Sequence, residues 1–337
     1  MALGKLAMRR ILWVLIVVMI VPSIWAIKRL GSMDKPDSLQ ERLGDYQKVT
    51  QRDRLAAVGR LSEIASRDRH FFSEPGDYSP LKTPGPSDWL THHSESGQTF
   101  RQFTEGKPNY PNSGQHKIVL LPLGEFPENE QAELELLRQF TAKFFMMETV
   151  WLSPLAIDET KMPFKVSESR RRQLYTEDAI EELIKHLPDD AYCMLAVTME
   201  DLVPRGNWNY VFGQASFRER VGVFSFARFD PKFFGEELVA GPIIARRRCL
   251  VLAHEIGHMF GIKHCIYYDC LMNGSNSLAE SDAGPLNLCP VCLRKLHHSV
   301  GFDLADRERE IAEVLRDQGL TDDADWYRRR LARITTD

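Results

Sequence analysis

From residue 115 onward, short apolar runs alternate with longer stretches whose apolar residues recur every three or four positions. The first run, 116–123, holds Ile118-Val119-Leu120-Leu121 between Gly114 and Pro122-Leu123-Gly124, the pattern of a short buried strand. Residues 128–146 place Leu134, Leu137, Phe140 and Phe144 on one helical face. A strand over 149–157, a helix over 176–186 with Thr176 as its N-cap, and a strand over 192–198 follow. Two more strands are predicted at 210–216 and 221–227, then a helix from about 243 to 260. Such alternation predicts an α/β fold built on a partly parallel sheet.

The first 114 residues are patterned differently. Lys5, Arg9 and Arg10 precede an uncharged run over 11–27, which Lys28 and Arg29 close. That run is near the lower limit for a spanning helix, which needs about 20 residues. It also fits the apolar region of a secretory signal, so two readings stand. The flanking charges favour a single-pass membrane anchor over 1–35. So does Ile24, a poor residue three places before a cut after Ala26. The alternative is a protein secreted after signal cleavage. Sidedness stays open, because Lys5, Arg9 and Arg10 are matched by Lys28, Arg29 and Lys35. Residues 38–69 are rich in Gln, Glu, Arg and Leu and predict a surface helix or helical stalk. Residues 71–114 are rich in Pro, Gly and Ser and predict irregular wrapping. The expected organisation is an anchor or signal at 1–35, a spacer and linker at 36–114, a folded domain at 115–302 and a charged tail at 303–337. The tail reads as two amphipathic helices separated at Gly319.

Composition narrows the partners. The 337 residues are 43% hydrophobic, sufficient for a packed core, and the formal charge of −4 gives no general attraction to nucleic acid. No nucleic-acid partner is expected. The basic triplets Arg170-Arg171-Arg172 and Arg246-Arg247-Arg248 read as solvated surface. A basic rim selecting acidic peptides is the second reading of the latter.

The chemistry concentrates in His254-Glu255-Ile256-Gly257-His258-Met259-Phe260-Gly261-Ile262-Lys263-His264. On a helix, His254 and His258 project from one face and can grip one ion. Glu255 stands beside the first ligand, where its carboxylate can take a proton from a metal-activated water. Gly261 can enter the left-handed conformation that turns the chain out of the helix, bringing His264 back to the same metal. Three protein ligands with one open position mark a catalytic zinc. Cys265 and Cys270, an 18-residue loop, and Cys289-Pro290-Val291-Cys292 supply four thiolates for a closed, structural zinc. In an oxidising compartment the same four could pair as two disulfides. Cys193 and Cys249 sit in apolar surroundings and read as buried core.

A three-histidine helix running directly into a four-cysteine site resembles the archaemetzincins, zinc metalloproteases of the metzincin clan, in their eukaryotic-type branch. The similarity also takes in Pro86-Ser87-Asp88-Trp89-Leu90, Asn207-Trp208-Asn209, the stretch from Phe212 to Ser216, and Pro285-Leu286-Asn287-Leu288-Cys289-Pro290. It covers roughly residues 80 to 302, about the span of one domain. The resemblance implies a metzincin-like catalytic domain with a twisted mixed sheet, an active-site helix and a four-cysteine, zinc-stabilised C-terminal subdomain. It implies two Zn2+ per chain, with Met272 forming the turn beneath the catalytic metal. It further implies that strand 221–227 is the sheet edge along which extended substrate pairs, with Phe224 or Phe226 as pocket residues or simply core. His297 and His298 read as ordinary helix residues.

Two function classes follow. One is a zinc-dependent peptidase, endopeptidase or aminopeptidase, acting on a peptide or protein with Glu255 as general base. The other is a catalytically inactive, zinc-stabilised peptide-binding domain at a membrane. The presence of Glu255 favours the enzyme.

Overall fold

A computed structural model describes residues 48–73, 76–167, 170–235 and 241–334. Its strands are β1 (Lys117–Leu123), β2 (Thr149–Trp151), β3 (Phe164–Val166), β4 (Arg172–Tyr175), β5 (Ala191–Thr198), β6 (Asp201–Val203), β7 (Gly213–Ser216) and β8 (Val221–Ser225). Five of them form a mixed sheet in the order β2-β1-β5-β8-β7, and the others a small sheet in the order β3-β4-β6. All pairs of the large sheet are parallel except β7 with β8.

The apolar run of β1 divides between two faces because successive strand residues point to opposite sides. Ile118 and Leu120 join one core with Leu195 and Val197, beneath the helices Gln131–Phe145 and Gly241–Met259. Val119 and Leu121 join a second core with Met194 and Ala196, under the helix Thr176–Leu183. A sheet covered on both faces explains why β1 and β5 are continuously hydrophobic rather than alternating.

Several boundaries differ from expectation for local reasons. The strand expected over 149–157 stops at Trp151, and Pro154, which has no N–H to donate, lies just beyond. Thr176 is the first helical residue rather than the cap, and its hydroxyl hydrogen bonds to Gln214 across the domain. Within 38–69, the helix Gln51–Val58 ends at Gly59, whose φ is +75°. It is not a stalk: Ala57 and Val58 are buried, and Arg294 donates to the Val58 carbonyl. The stretch expected to wrap irregularly contains two short helices, Trp89–His92 and Phe100–Glu105. It also forms a bridge between Pro80 and Tyr268.

The membrane expectation is corrected. Among the described residues, no helix is long and apolar enough to cross a membrane. The apolar run at 11–27 lies outside those residues. The longest described helix, Gly241–Met259, carries Arg246, Arg247 and Arg248 and turns its apolar residues into the core.

The tail forms two helices, Leu304–Asp317 and Thr321–Ile334, broken at Gly319 with φ +73°. Arg330 and Glu308 pair across them at 3.0 Å while almost fully buried. Tyr327 donates to the Leu286 carbonyl at 2.9 Å, fastening the pair to the segment before the C-x-x-C knuckle.

Candidate active site

The Gly241–Met259 helix delivers His254 and His258 one turn apart. It ends as expected at Gly261, with φ +82° and an N–H bonded to the His258 carbonyl at 2.8 Å. A Cβ there would lie 2.7 Å from the Phe217 ring, so glycine is required by contact as well as by conformation. The turn returns His264, and one nitrogen from each of the three histidines lies within 4.8 Å of the others.

The hydrogen bonds fix which nitrogens are available. His254 Nδ1 lies 2.9 Å from the Leu271 carbonyl, and His258 Nδ1 lies 2.7 Å from the Ile262 carbonyl. A carbonyl only accepts, so both Nδ1 atoms carry the proton and both Nε2 atoms present lone pairs. Those Nε2 atoms face each other at 3.0 Å. Two buried lone pairs so placed repel unless a cation lies between them. Burial pushes the His254 ring down to about 3, and His258 is also held well below the ordinary value, so neither ring supplies that charge. Tetrahedral zinc with bonds of about 2.0–2.1 Å separates ligand nitrogens by about 3.3 Å, which the donor set fits.

Glu255 faces the cleft from the next helical position and is 7% exposed. Burial raises its carboxyl to about 8. It packs against β7, where a Cβ on Gly213 would come within 2.8 Å of its Oε1. The cleft, roughly 960 Å³, is lined by the three histidines and Glu255, with Trp89 and Trp208 among its wall residues. Met272 is fully buried, and a Cβ on Gly257 would meet its sulfur at 2.6 Å, which puts the thioether directly under the histidine helix.

Cys265, Cys270, Cys289 and Cys292 are free thiols whose sulfurs all lie within 4.8 Å of one another. Cys265 and Cys289 stand 3.6 Å apart, beyond the ~2.05 Å of a disulfide and close to the ~3.8 Å expected across tetrahedral zinc. Burial would raise the Cys265 thiol, but hydrogen bonds from the other three outweigh it and hold it well below the usual value. Burial raises Cys270 and Cys289. A buried cluster that stabilises sulfur anion and has no open side suits a closed cation site.

Other expectations are revised. The cleft-side edge of the sheet is β7, not the strand at 221–227, because the hairpin folds β7 back onto the outer side of β8. Phe224 and Phe226 are core, at 0% and 1% exposure. Arg246, Arg247 and Arg248 are neither solvated nor a rim, since they pair with Asp323, Asp282 and Glu130 at 2.6–2.8 Å. Cys193 and Cys249 are buried, as expected. Glu95 was not anticipated: it contacts His264 Nδ1 at 2.7 Å from 169 positions away. Burial opposes its ionisation, but hydrogen bonds from His264 and Trp89 hold it below the usual carboxylate value.

The model of peptidase family M54 matches residues 172–298. Archaemetzincin-2 of Macaca fascicularis is 34% identical over 273 residues, covering 72% of this chain and 75% of that protein. The chain belongs to the archaemetzincins. It is therefore a zinc metallopeptidase, and the mixed α/β fold with its four-cysteine cluster is that of an archaemetzincin. Archaemetzincin-1 of Homo sapiens is 30% identical over 288 residues, covering 74% of this chain and 57% of that protein. The archaemetzincin structure from Archaeoglobus fulgidus aligns at 27% identity with a TM-score of 0.42, covering 53% of this chain and 99% of that one.

Proposed function

We propose that this archaemetzincin hydrolyses peptide bonds with Glu255 as general base, beside a catalytic zinc held by His254, His258 and His264. A second, structural zinc is held by Cys265, Cys270, Cys289 and Cys292. The observation that carries the reading is the facing pair of Nε2 lone pairs at 3.0 Å, adjoining a buried carboxylate in an open cleft. Zinc in the nitrogen centre would supply Lewis acidity, polarising the scissile carbonyl and acidifying a water. Glu255 takes the proton of the attacking water and returns it to the departing amine. Its desolvated carboxylate is a stronger base than one in water, which suits proton transfer near neutral pH.

The substrate is a peptide or protein. Edge strand β7 offers its backbone to an extended segment, which holds the scissile bond in register over Glu255. The catalytic domain proper is 115–302, with Trp89 and Glu95 of the preceding segment completing its cleft. Asp323 and Tyr327 of the following helices buttress it by bonding Arg246 and the Leu286 carbonyl.

The test uses the full chain and Glu255→Ala on a mixed peptide library, with metal content measured in parallel. Expected is a loss of about 10²- to 10⁴-fold in cleavage with two zinc ions per chain retained in both proteins. Equal cleavage by the variant overturns the role of Glu255. Peptide binding without cleavage by either protein overturns the peptidase reading. The product termini distinguish internal cuts from removal of N-terminal residues.

A further inference from the structure

The three histidines differ in what holds their second nitrogen. For His254 and His258 the acceptor is a neutral backbone carbonyl, of Leu271 and Ile262. For His264 it is the carboxylate of Glu95, at 2.7 Å. His264 is also the one that leaves the helix, so helical geometry does not set its ring as it sets the other two. We propose that Glu95 is a positioning residue of the nitrogen centre: its carboxylate orients His264, makes that ring a stronger metal ligand than its two neighbours, and raises the affinity of the centre for a divalent cation. The proposal rests on the reading that the three histidines hold a metal.

Glu95 is itself braced. The Trp89 indole N–H donates to its Oε1 at 3.0 Å, and the Trp89 ring meets His264 edge-on at 5.2 Å between centroids. Trp89 is fixed in turn by its backbone N–H, which donates to Glu280 at 2.8 Å, and by stacking on His93 at 3.7 Å. A Cβ on Gly274 would lie 2.6 Å from the indole, so the loop just past Met272 closes on the ring. Glu95 is only 12% exposed, and a carboxylate in such a site interacts with charge more strongly than one in water. A histidine that donates to a carboxylate is a more basic ligand than one that donates to a carbonyl, and such partners are worth about 10- to 100-fold in metal affinity. The segment that supplies Glu95 precedes residues 172–298, so part of the metal centre is built from outside the family-matched region.

The test loads the full chain with cobalt(II) in place of zinc and extracts it with graded chelator. Thiolate-to-cobalt absorption follows the sulfur cluster, total metal analysis follows both centres, and the difference gives the nitrogen centre. Glu95→Gln keeps an acceptor for the ring and removes the charge, whereas Glu95→Ala removes both. Both variants are expected to release nitrogen-centre cobalt at lower chelator than the parent, Glu95→Ala by about 10- to 100-fold and Glu95→Gln by less. The thiolate band should be unchanged, which shows that the variants are folded. Parental cobalt affinity in Glu95→Gln, with the band intact, overturns the proposal and leaves the three-histidine reading standing. A parent that holds cobalt in the sulfur cluster alone overturns both.

Discussion

The two candidate metal centres are neighbours built on opposite principles. The nitrogen centre opens into the cleft, with His254 half-buried and hydrogen bonds reaching it from three separate segments. The sulfur cluster is closed, none of its cysteines being more than 3% exposed. One can admit a reacting molecule, while the other can only brace the fold. Their meeting point is residues 270–272. Cys270 belongs to the sulfur cluster, the Leu271 carbonyl orients His254, and the Met272 sulfur supports the helix at Gly257. Cys265 adds a second junction, being adjacent to His264 and donating its N–H to the Met272 carbonyl at 2.8 Å. A closed centre that shares its backbone with an open one stiffens the open one.

The largest test of that comparison is Cys289→Ser. Loss of the sulfur-bound metal should remove several kcal/mol of folding energy and lower the melting temperature by about 10 °C or more. Metal analysis should show less than one zinc per chain, because the 270–272 strut loosens with the cluster. A variant with one tightly held zinc and parental peptidase activity would show that the two centres are independent.

Gly213→Ala probes the open centre alone. The new methyl meets the buried Glu255 side chain at Cγ as well as Oε1, so that side chain must shift from near its root. A destabilisation of about 1 kcal/mol should accompany the catalytic loss. Catalysis should fall by about 10- to 100-fold, the usual consequence of a misplaced catalytic group. Steady-state kinetics with a thermal melt reads both, and unchanged kinetics would mean that Glu255 tolerates another position.

At the junction, Gly257→Ala should forfeit the ~1 kcal/mol that alanine normally gains over glycine in a helix. It should instead destabilise by about 1 kcal/mol through overpacking against the buried Met272 sulfur. Adding Met272→Ala to Gly257→Ala should remove that clash, and denaturant unfolding of both variants against Met272→Ala alone measures it. An alanine that stabilises the parent would show the methionine not to be seated there.

The smallest effect is expected at His297, outside both centres and packed against Phe72 and Phe302. Burial holds its pKa below 6.5, so the unfolded chain binds a proton that the folded chain refuses. Its contribution is present above pH 6.5 and is lost as pH falls towards the folded value. His297→Gln should therefore flatten the fall in stability between pH 7 and pH 5, and an unaltered slope would place the effect elsewhere.

Local chemistry was legible wherever it depended on spacing along one element. His254 and His258 are one helical turn apart, Gly261 is a conformational necessity, and the C-x-x-C spacing brings Cys289 and Cys292 to one cluster. The alternation of strands and helices was legible too, because the apolar runs of β1 and β5 require cover on both faces. Strand order was not. Whether 213–216 or 221–225 forms the edge depends on which side the hairpin folds back, and both segments are short and largely buried, even though 213–216 carries Gln214 and Ser216. Arg246, Arg247 and Arg248 misled for a related reason, since their acidic partners come from three other helical segments distant along the chain. The anchor expected from the first 35 residues drew no support from any described helix.

The sequence by itself determined the donor atoms: three imidazoles, four thiols and one carboxylate, at separations that covalent geometry and helical pitch turn into two clusters. Only the tertiary structure decided what surrounds those atoms. It set which oxygen takes each ring proton, brought Glu95 across 169 positions to His264, and pressed Gly213 against Glu255. Contacts between distant segments follow from how layers pack, and packing depends on the whole apolar surface rather than on any local pattern.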